Sequence, residues 1–328
     1  MKKVAIIGVR GYPYVYGGYE TLVKEVGERL SIKHFSITVY CHKNLYTNYP
    51  EKVNNINLIY IPSIESKILS TFIHSFFSTI HACIFGKFDF ILYVNTANGP
   101  FGLITKIFNK KTAINTDGLE WKRPKWKGLG ATYFYYSSYL STLVFDKLIA
   151  DSIEMEKVYK KLFNSKSTYI PYGANIRKSL DPNIIKKFSL SKNNYYLIVG
   201  RLIPDNNSDF ILNEFINSKS SKKIVIVGDV KYNDKFAMQM KSRSSENVIF
   251  TGYIENQDLL AELYHNCYAY LHGHEYGGTN PALLKALAYG SAIFALDTVF
   301  SREVLSNQEY GVIFNKEENH LASLIKKH

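Results

Sequence analysis

Short apolar runs alternate with stretches of helical periodicity along the whole chain. In the first half, strands are predicted over residues 4–8, 36–41, 57–61, 90–94, 112–115, 148–150 and 168–170. In the second half they are predicted over 196–199, 223–227, 248–251, 269–271, 292–296 and 312–314. Between these runs, residues 209–216, 258–267 and 281–289 place apolar side chains at helical spacing. Strand–helix alternation of this kind predicts an α/β fold, with doubly wound parallel sheets covered on both faces. Ligands of such sheets sit at the carboxyl ends of the strands.

The best-punctuated stretch runs from His272 to Gly290. Asn280 suits a helix cap, Pro281 the first turn, and Gly290 the position just past the end. Pro171 and Gly173 break the last strand of the first half. Two domains are therefore expected, residues 1–173 and 195–328, joined by a polar linker over 174–194 and facing each other across a cleft.

A length of 328 residues fits two domains better than one. The formal charge of +12 favours anionic partners, whether nucleotide, nucleic acid or an acidic membrane surface, although a lysine-rich soluble surface gives the same balance. No nucleic-acid recognition element is recognisable, so nucleic acid is not an expected partner. Cys41, Cys83 and Cys267 are far apart and odd in number, which argues against a disulfide framework or a zinc site and for a reducing cytoplasm. The first apolar run is too short for a signal peptide. Residues 68–86 carry no Lys, Arg, Asp or Glu, but His74, His81 and several hydroxyl side chains interrupt them. They are expected to form a core or interfacial helix rather than a membrane span.

Four places at predicted strand ends carry candidate chemistry. Gly8 and Gly11 are followed by Tyr16, Gly17, Gly18 and Glu20. This is neither a dinucleotide fingerprint nor a P-loop, but its glycines admit close ligand approach. Asp117 and Glu120 lie beside Trp121, a combination that suits a sugar face and its hydroxyls as well as it suits a charged loop. Arg201 follows a strand directly, where its guanidinium can fork onto a diphosphate. Gly277, Gly278, Thr279 and Asn280 precede a helix N-terminus, a favourable place for an anion as well as an ordinary tight turn.

Taken together, these segments resemble the family 4 glycosyltransferases of GT-B fold, most closely a bacterial rhamnosyltransferase-like subgroup whose N-terminal domain was long a domain of unknown function. The resemblance rests on Gly8 to Gly11 with Pro13, Tyr16 to Glu20, Asp117 to Arg123, Asp151 with Ser152, Ile170 to Gly173, Gly200 to Asn207, and Gly277 to Pro281, in that order along nearly the whole chain. It implies a retaining transferase that needs no metal and no cofactor beyond its nucleotide-sugar co-substrate. The absence of a DxD motif agrees with this.

The resemblance also implies roles for individual residues. Arg201 and Asp117 would be catalytic. The donor would be held by Gly17, Gly18, Arg201, Asn206, Gly277, Gly278, Thr279, Asn280 and Lys285, and the acceptor by Tyr16, Asp117, Glu120 and Trp121. The expected donor is dTDP-rhamnose and the expected acceptor an undecaprenyl-diphosphate-linked saccharide in O-antigen, capsule or other surface polysaccharide assembly. The expected location is cytoplasmic, peripheral to the inner face of the plasma membrane. Three departures stand out. Lys285 replaces the family's ribose-binding Glu, Asn206 replaces a second phosphate-binding Lys as the subgroup does, and few residues follow 314, as if C-terminal helices were missing. The rival reading is a non-catalytic sugar-nucleotide-binding partner of a glycosyltransferase complex.

Overall fold

The computed structural model describes residues 1–13, 18–64, 69–116, 118–230 and 234–328. It divides into two units, Met1–Tyr172 and Gly173–His328, with one sheet in each. The first contains strands β1 (Lys2–Ile7), β2 (Phe35–His42), β3 (Lys52–Val53), β4 (Ile56–Ile61), β5 (Phe90–Val94), β6 (Thr112–Asn115), β7 (Lys147–Ala150) and β8 (Thr168–Tyr169). Its helices are α1 (Gly18–Ile32), α2 (Leu69–Ile84), α3 (Phe101–Ile107), α4 (Leu129–Val144) and α5 (Ile153–Phe163). The strand order is β3-β4-β2-β1-β5-β6-β7-β8, and every pair is parallel except β3 with β4.

The second unit contains β9 (Tyr195–Val199), β10 (Lys223–Val227), β11 (Val248–Gly252), β12 (Ala269–His272), β13 (Ile293–Leu296) and β14 (Val312–Phe314). Its helices are α6 (Ser208–Ser218), α7 (Lys235–Lys241), α8 (Gln257–Asn266), α9 (Pro281–Ala288), α10 (Val299–Val304) and α11 (His320–Lys327). The order β11-β10-β9-β12-β13-β14 is the doubly wound arrangement. Its strands read as continuous apolar runs because both faces are covered. Tyr195 and Leu197 of β9 point into one core with Val225, while Tyr196 and Ile198 point into the other with Ile224 and Ile226. Burial of each such aliphatic side chain contributes about 1.5–3 kcal/mol.

Every predicted strand is present. The added β3 lacks an apolar alternation to announce it. It exists because Asn54 and Asn55 take left-handed φ values of 47° and 63°, which close a two-residue hairpin onto β4. The expected linker also differs, since residues 174–194 belong to the second unit. Ile185 and Leu190 are buried in its core, and a short 3-10 helix spans Pro182–Phe188. The buried Glu262 carboxylate accepts from Ser179 Oγ at 2.7 Å, Leu180 N at 2.5 Å and Asp181 N at 2.9 Å. A segment that reads as polar is thus packed because two apolar side chains and one buried carboxylate anchor it.

Candidate functional site

In each sheet the strand order reverses at one point, between β1 and β5 and between β9 and β12. The crevice outside the carboxyl ends of such neighbouring strands is where open α/β sheets hold ligands. In the second unit β9 leads into Gly200 and Arg201, and β12 ends at His272 and leads into the glycine loop.

Two consecutive asparagines tie these loops together. Asn206 donates from Nδ2 to the Arg201 carbonyl at 2.8 Å, and its Oδ1 meets His274 Nδ1 at 2.9 Å. Asn207 donates to the Gly273 carbonyl at 2.8 Å and to Glu275 Oε2 at 3.0 Å. Glu275 is also paired with Lys316 at 3.1 Å. Burial would raise its carboxyl, but Asn207 and Lys316 outweigh that and hold it below the usual value. Asn206 therefore joins the two loops through both its amide nitrogen and its amide oxygen. Arg201 is half-buried, and its guanidinium has no hydrogen-bond or ion-pair partner among the described residues.

The loop floor depends on close backbone approach. Gly228, at the end of β10, has φ +127°, and a Cβ there would lie 1.9 Å from the Gly200 carbonyl oxygen. A Cβ on Gly277 would lie 2.4 Å from His274 Nε2, so the imidazole occupies the place of a side chain. Asn280 caps α9, its Oδ1 accepting from Ala282 N at 2.8 Å, Pro281 opens the helix, and Gly290 follows it. Thr279 is buried beside them. A small pocket opens between His272, His274, Gly277, Gly278, Asn280 and Ser301. His272 Nδ1 lies 3.0 Å from the Tyr270 hydroxyl, and burial pushes its pKa down to about 3. It is therefore neutral at physiological pH and presents its other ring nitrogen as a single donor or acceptor. Sequence reasoning gave His272 and His274 no role; two histidines flanking a glycine at a strand end were the available signal. Lys285 sits one turn into α9 and donates to Gln257 Oε1 at 3.2 Å.

In the first unit Gly18 is the exposed first residue of α1, and Arg10 N donates to the buried Glu20 at 3.3 Å. At the end of β5, Asn95 holds φ 73° and ψ 126°, a costly conformation for a residue other than glycine and of a kind that gathers at functional sites. Tyr16, Gly17 and Asp117 lie outside the described residues.

Glu120 and Trp121, expected to face an acceptor, are differently engaged. Glu120 is buried, paired with Arg123 at 2.9 Å and Lys125 at 3.3 Å, and accepts from Trp126 Nε1 at 2.9 Å. Burial raises its carboxyl, but Arg123 and Lys125 more than offset this and hold it below the ordinary range. Trp121 packs edge-on against Tyr135, Tyr159 and Phe163, with centroids 5.9, 6.4 and 6.2 Å away. The indole beside the carboxylate is thus Trp126, six residues on, because the intervening turn brings it back.

Solved structures share this architecture over the full chain. Sucrose-phosphate synthase from Thermosynechococcus elongatus matches with a TM-score of 0.81 and 17% identity, covering 100% of this chain and 89% of that one. HepE from Anabaena in complex with UDP-glucose matches at 0.76 and 13%, covering 100% and 89%. WaaG, a glycosyltransferase involved in lipopolysaccharide biosynthesis, matches at 0.69 and 13%, covering 99% and 88%. No curated protein matches in sequence. The two parallel-sheet domains are thus of GT-B type. The chain belongs to the family described as Domain of unknown function (DUF1972), which covers residues 1–175, and its residues 181–327 form a Glycosyl transferases group 1 domain.

Proposed function

We propose that the protein is a retaining glycosyltransferase that moves a sugar from a nucleoside diphosphate onto a lipid-linked glycan, with rhamnose from dTDP-rhamnose as the favoured sugar. The observation that carries this reading is the tying of the Arg201 loop to the glycine loop ahead of α9, at the strand reversal of a glycosyl transferases group 1 domain. Arg201 would neutralise the charge that develops on the departing diphosphate, and the amides before α9 would bind it. The UDP-glucose complex of HepE, which shares the fold, supports a nucleotide sugar as co-substrate. Asp117 would orient the acceptor hydroxyl. The test is a screen of nucleotide sugars with a lipid-diphosphate acceptor mimic, read by mass spectrometry. Transfer of one sugar is the expected result, and binding without transfer or hydrolysis would favour a non-catalytic partner instead.

Two expected outcomes follow from the site. No DxD motif is present, and no group of three or more His, Cys, Asp or Glu among the described residues is placed to hold a metal. Treatment with EDTA should leave the transfer rate unchanged within a factor of about two. Complete loss that magnesium restores would defeat the proposed clamp. Lys285→Glu should weaken donor binding, because a carboxylate near the diphosphate repels it whereas the ammonium attracts it. Calorimetry with the donor decides this. Tighter binding in the variant would mean that Lys285, held by Gln257, is a defect in the nucleotide site.

A further inference from the structure

Helix α2 is inside out. Its buried side carries Ser70, His74, Ser75, Ser78 and Thr79 before Ala82 and Cys83 in the last turn, while Leu69, Phe72, Phe76, Phe77 and Ile84 are exposed, as is Phe85 just past its end. Exposure reaches 52% at Phe77 and 72% at Phe85. The exposed residues recur at helical spacing, so they form one stripe. Helix α4 repeats the inversion, with Ser137, Ser138 and Ser141 buried and Tyr136, Tyr139 and Leu143 exposed. Between them α3 exposes Leu103 and Ile107, the latter by 81%. The three helices are neighbours, α2 beside α3 and α3 beside α4. Their rings also touch: Phe72 lies 5.0 Å from Phe101 and 6.3 Å from Tyr133. The result is one continuous apolar and aromatic face on the first unit. Patches of this extent mark interaction sites.

The charge around this face is predominantly positive. Between Ser66 and Phe145 stand nine lysines and arginines against three acids. Asp89 accepts from Lys3 N at 2.7 Å, and Glu120 is buried in its own ion pairs. Lys87, Lys106 and Lys111 are exposed, and Lys106 Nζ reaches the Leu143 carbonyl at 3.5 Å, at the junction of α3 and α4.

We propose that the outer face of α2, α3 and α4 docks on an anionic lipid bilayer, with its phenylalanine, leucine and isoleucine side chains entering the headgroup–acyl boundary, its tyrosines at headgroup level and its lysines meeting the lipid phosphates. For its purpose it rests on the lipid-carried acceptor of the preceding section, but its geometry stands without it. The insertion is shallow, since no helix among the described residues is long and apolar enough to cross a membrane. Aromatic side chains beside lysines suit the interfacial layer, and each basic residue there adds attraction to acidic lipid. A second copy of the chain fits less well, because a two-fold pairing of this face would bring two lysine rims together with few acids to meet them.

The experiment is co-sedimentation with vesicles of phosphatidylcholine with and without phosphatidylglycerol, at low and high salt. Wild-type protein should bind the anionic vesicles and be released by salt. Phe77→Ser/Ile107→Ser/Leu143→Ser should weaken binding at least about tenfold, and Lys87→Gln/Lys106→Gln/Lys111→Gln should do the same and flatten the salt dependence. Met238→Ser, an equally exposed apolar change in the second unit, should have no effect. All these variants should keep the wild-type melting temperature and donor affinity, which separates a failure of docking from a failure of the transferase reading. Wild-type binding in the triple serine variant, or no binding by the wild type, overturns the proposal. So does a wild-type dimer by light scattering that the serine variant converts to monomer.

Discussion

Arg201→Ala is expected to lower transfer by about 10²–10³-fold, the usual loss when one preorganised donor to a developing anion is removed. The melting temperature should not change, because the Arg201 side chain makes no hydrogen bond or ion pair among the described residues. What Arg201 gives the fold is its backbone carbonyl, which accepts from Asn206 and Ile203, and alanine keeps that group. Arg201→Lys should recover only part of the rate, since an ammonium keeps the charge but loses the planar fork that grips a diphosphate. Single-turnover rates and donor affinity measured on both variants check this. Near-normal turnover in the alanine variant would make Arg201 a surface residue and leave the proposed clamp without its cation.

Glu120→Gln is expected to act on stability. The carboxylate is buried and balances Arg123 at 2.9 Å, itself buried, and Lys125 at 3.3 Å. Neutralising Glu120 breaks this buried pair by removing one of its charges, which costs about 3–5 kcal/mol. For a unit of this size that corresponds to a fall of about 10 °C in melting temperature. The pH dependence has a defined sign. Burial raises the carboxyl and Arg123 and Lys125 outweigh it, so the folded value lies below the unfolded one. The contribution of Glu120 is therefore present above the unfolded value of about 4.3 and is lost as pH falls through the folded one. Thermal melts of both proteins from neutral to acidic pH should converge at the acidic end. A variant that melts like wild type but loses acceptor affinity would return Glu120 to the acceptor role that the sequence suggested.

The contrast between Arg201 and Glu120 shows where legibility in the sequence stopped. Both are charged residues that follow a strand closely in sequence. Arg201 directly follows β9 at the strand reversal with its guanidinium uncommitted among the described residues, whereas Glu120 folds back on Arg123, Lys125 and Trp126. Sequence spacing names the residues at a strand end but not the direction in which the following turn aims them. Nor does spacing show that the Asn206 amide links the Arg201 carbonyl to His274, a residue 68 positions away.

By itself the sequence determined the alternation of strands and helices, the α/β class, and the cap, first turn and end of α9. These are local, set by apolar periodicity and by the conformational limits of Asn280, Pro281 and Gly290. Only the tertiary structure decided the strand orders, and with them which loops share a crevice, because pairing between β9 and β12 joins segments separated by several other elements. It also decided which side of α2 faces outward. The periodicity of Leu69, Phe72, Phe76 and Ile84 predicts an apolar stripe and would ordinarily bury it. The fold instead packs the serine and histidine side against the sheet and leaves the stripe outside, a choice that only the neighbouring β1, β4 and α3 can make.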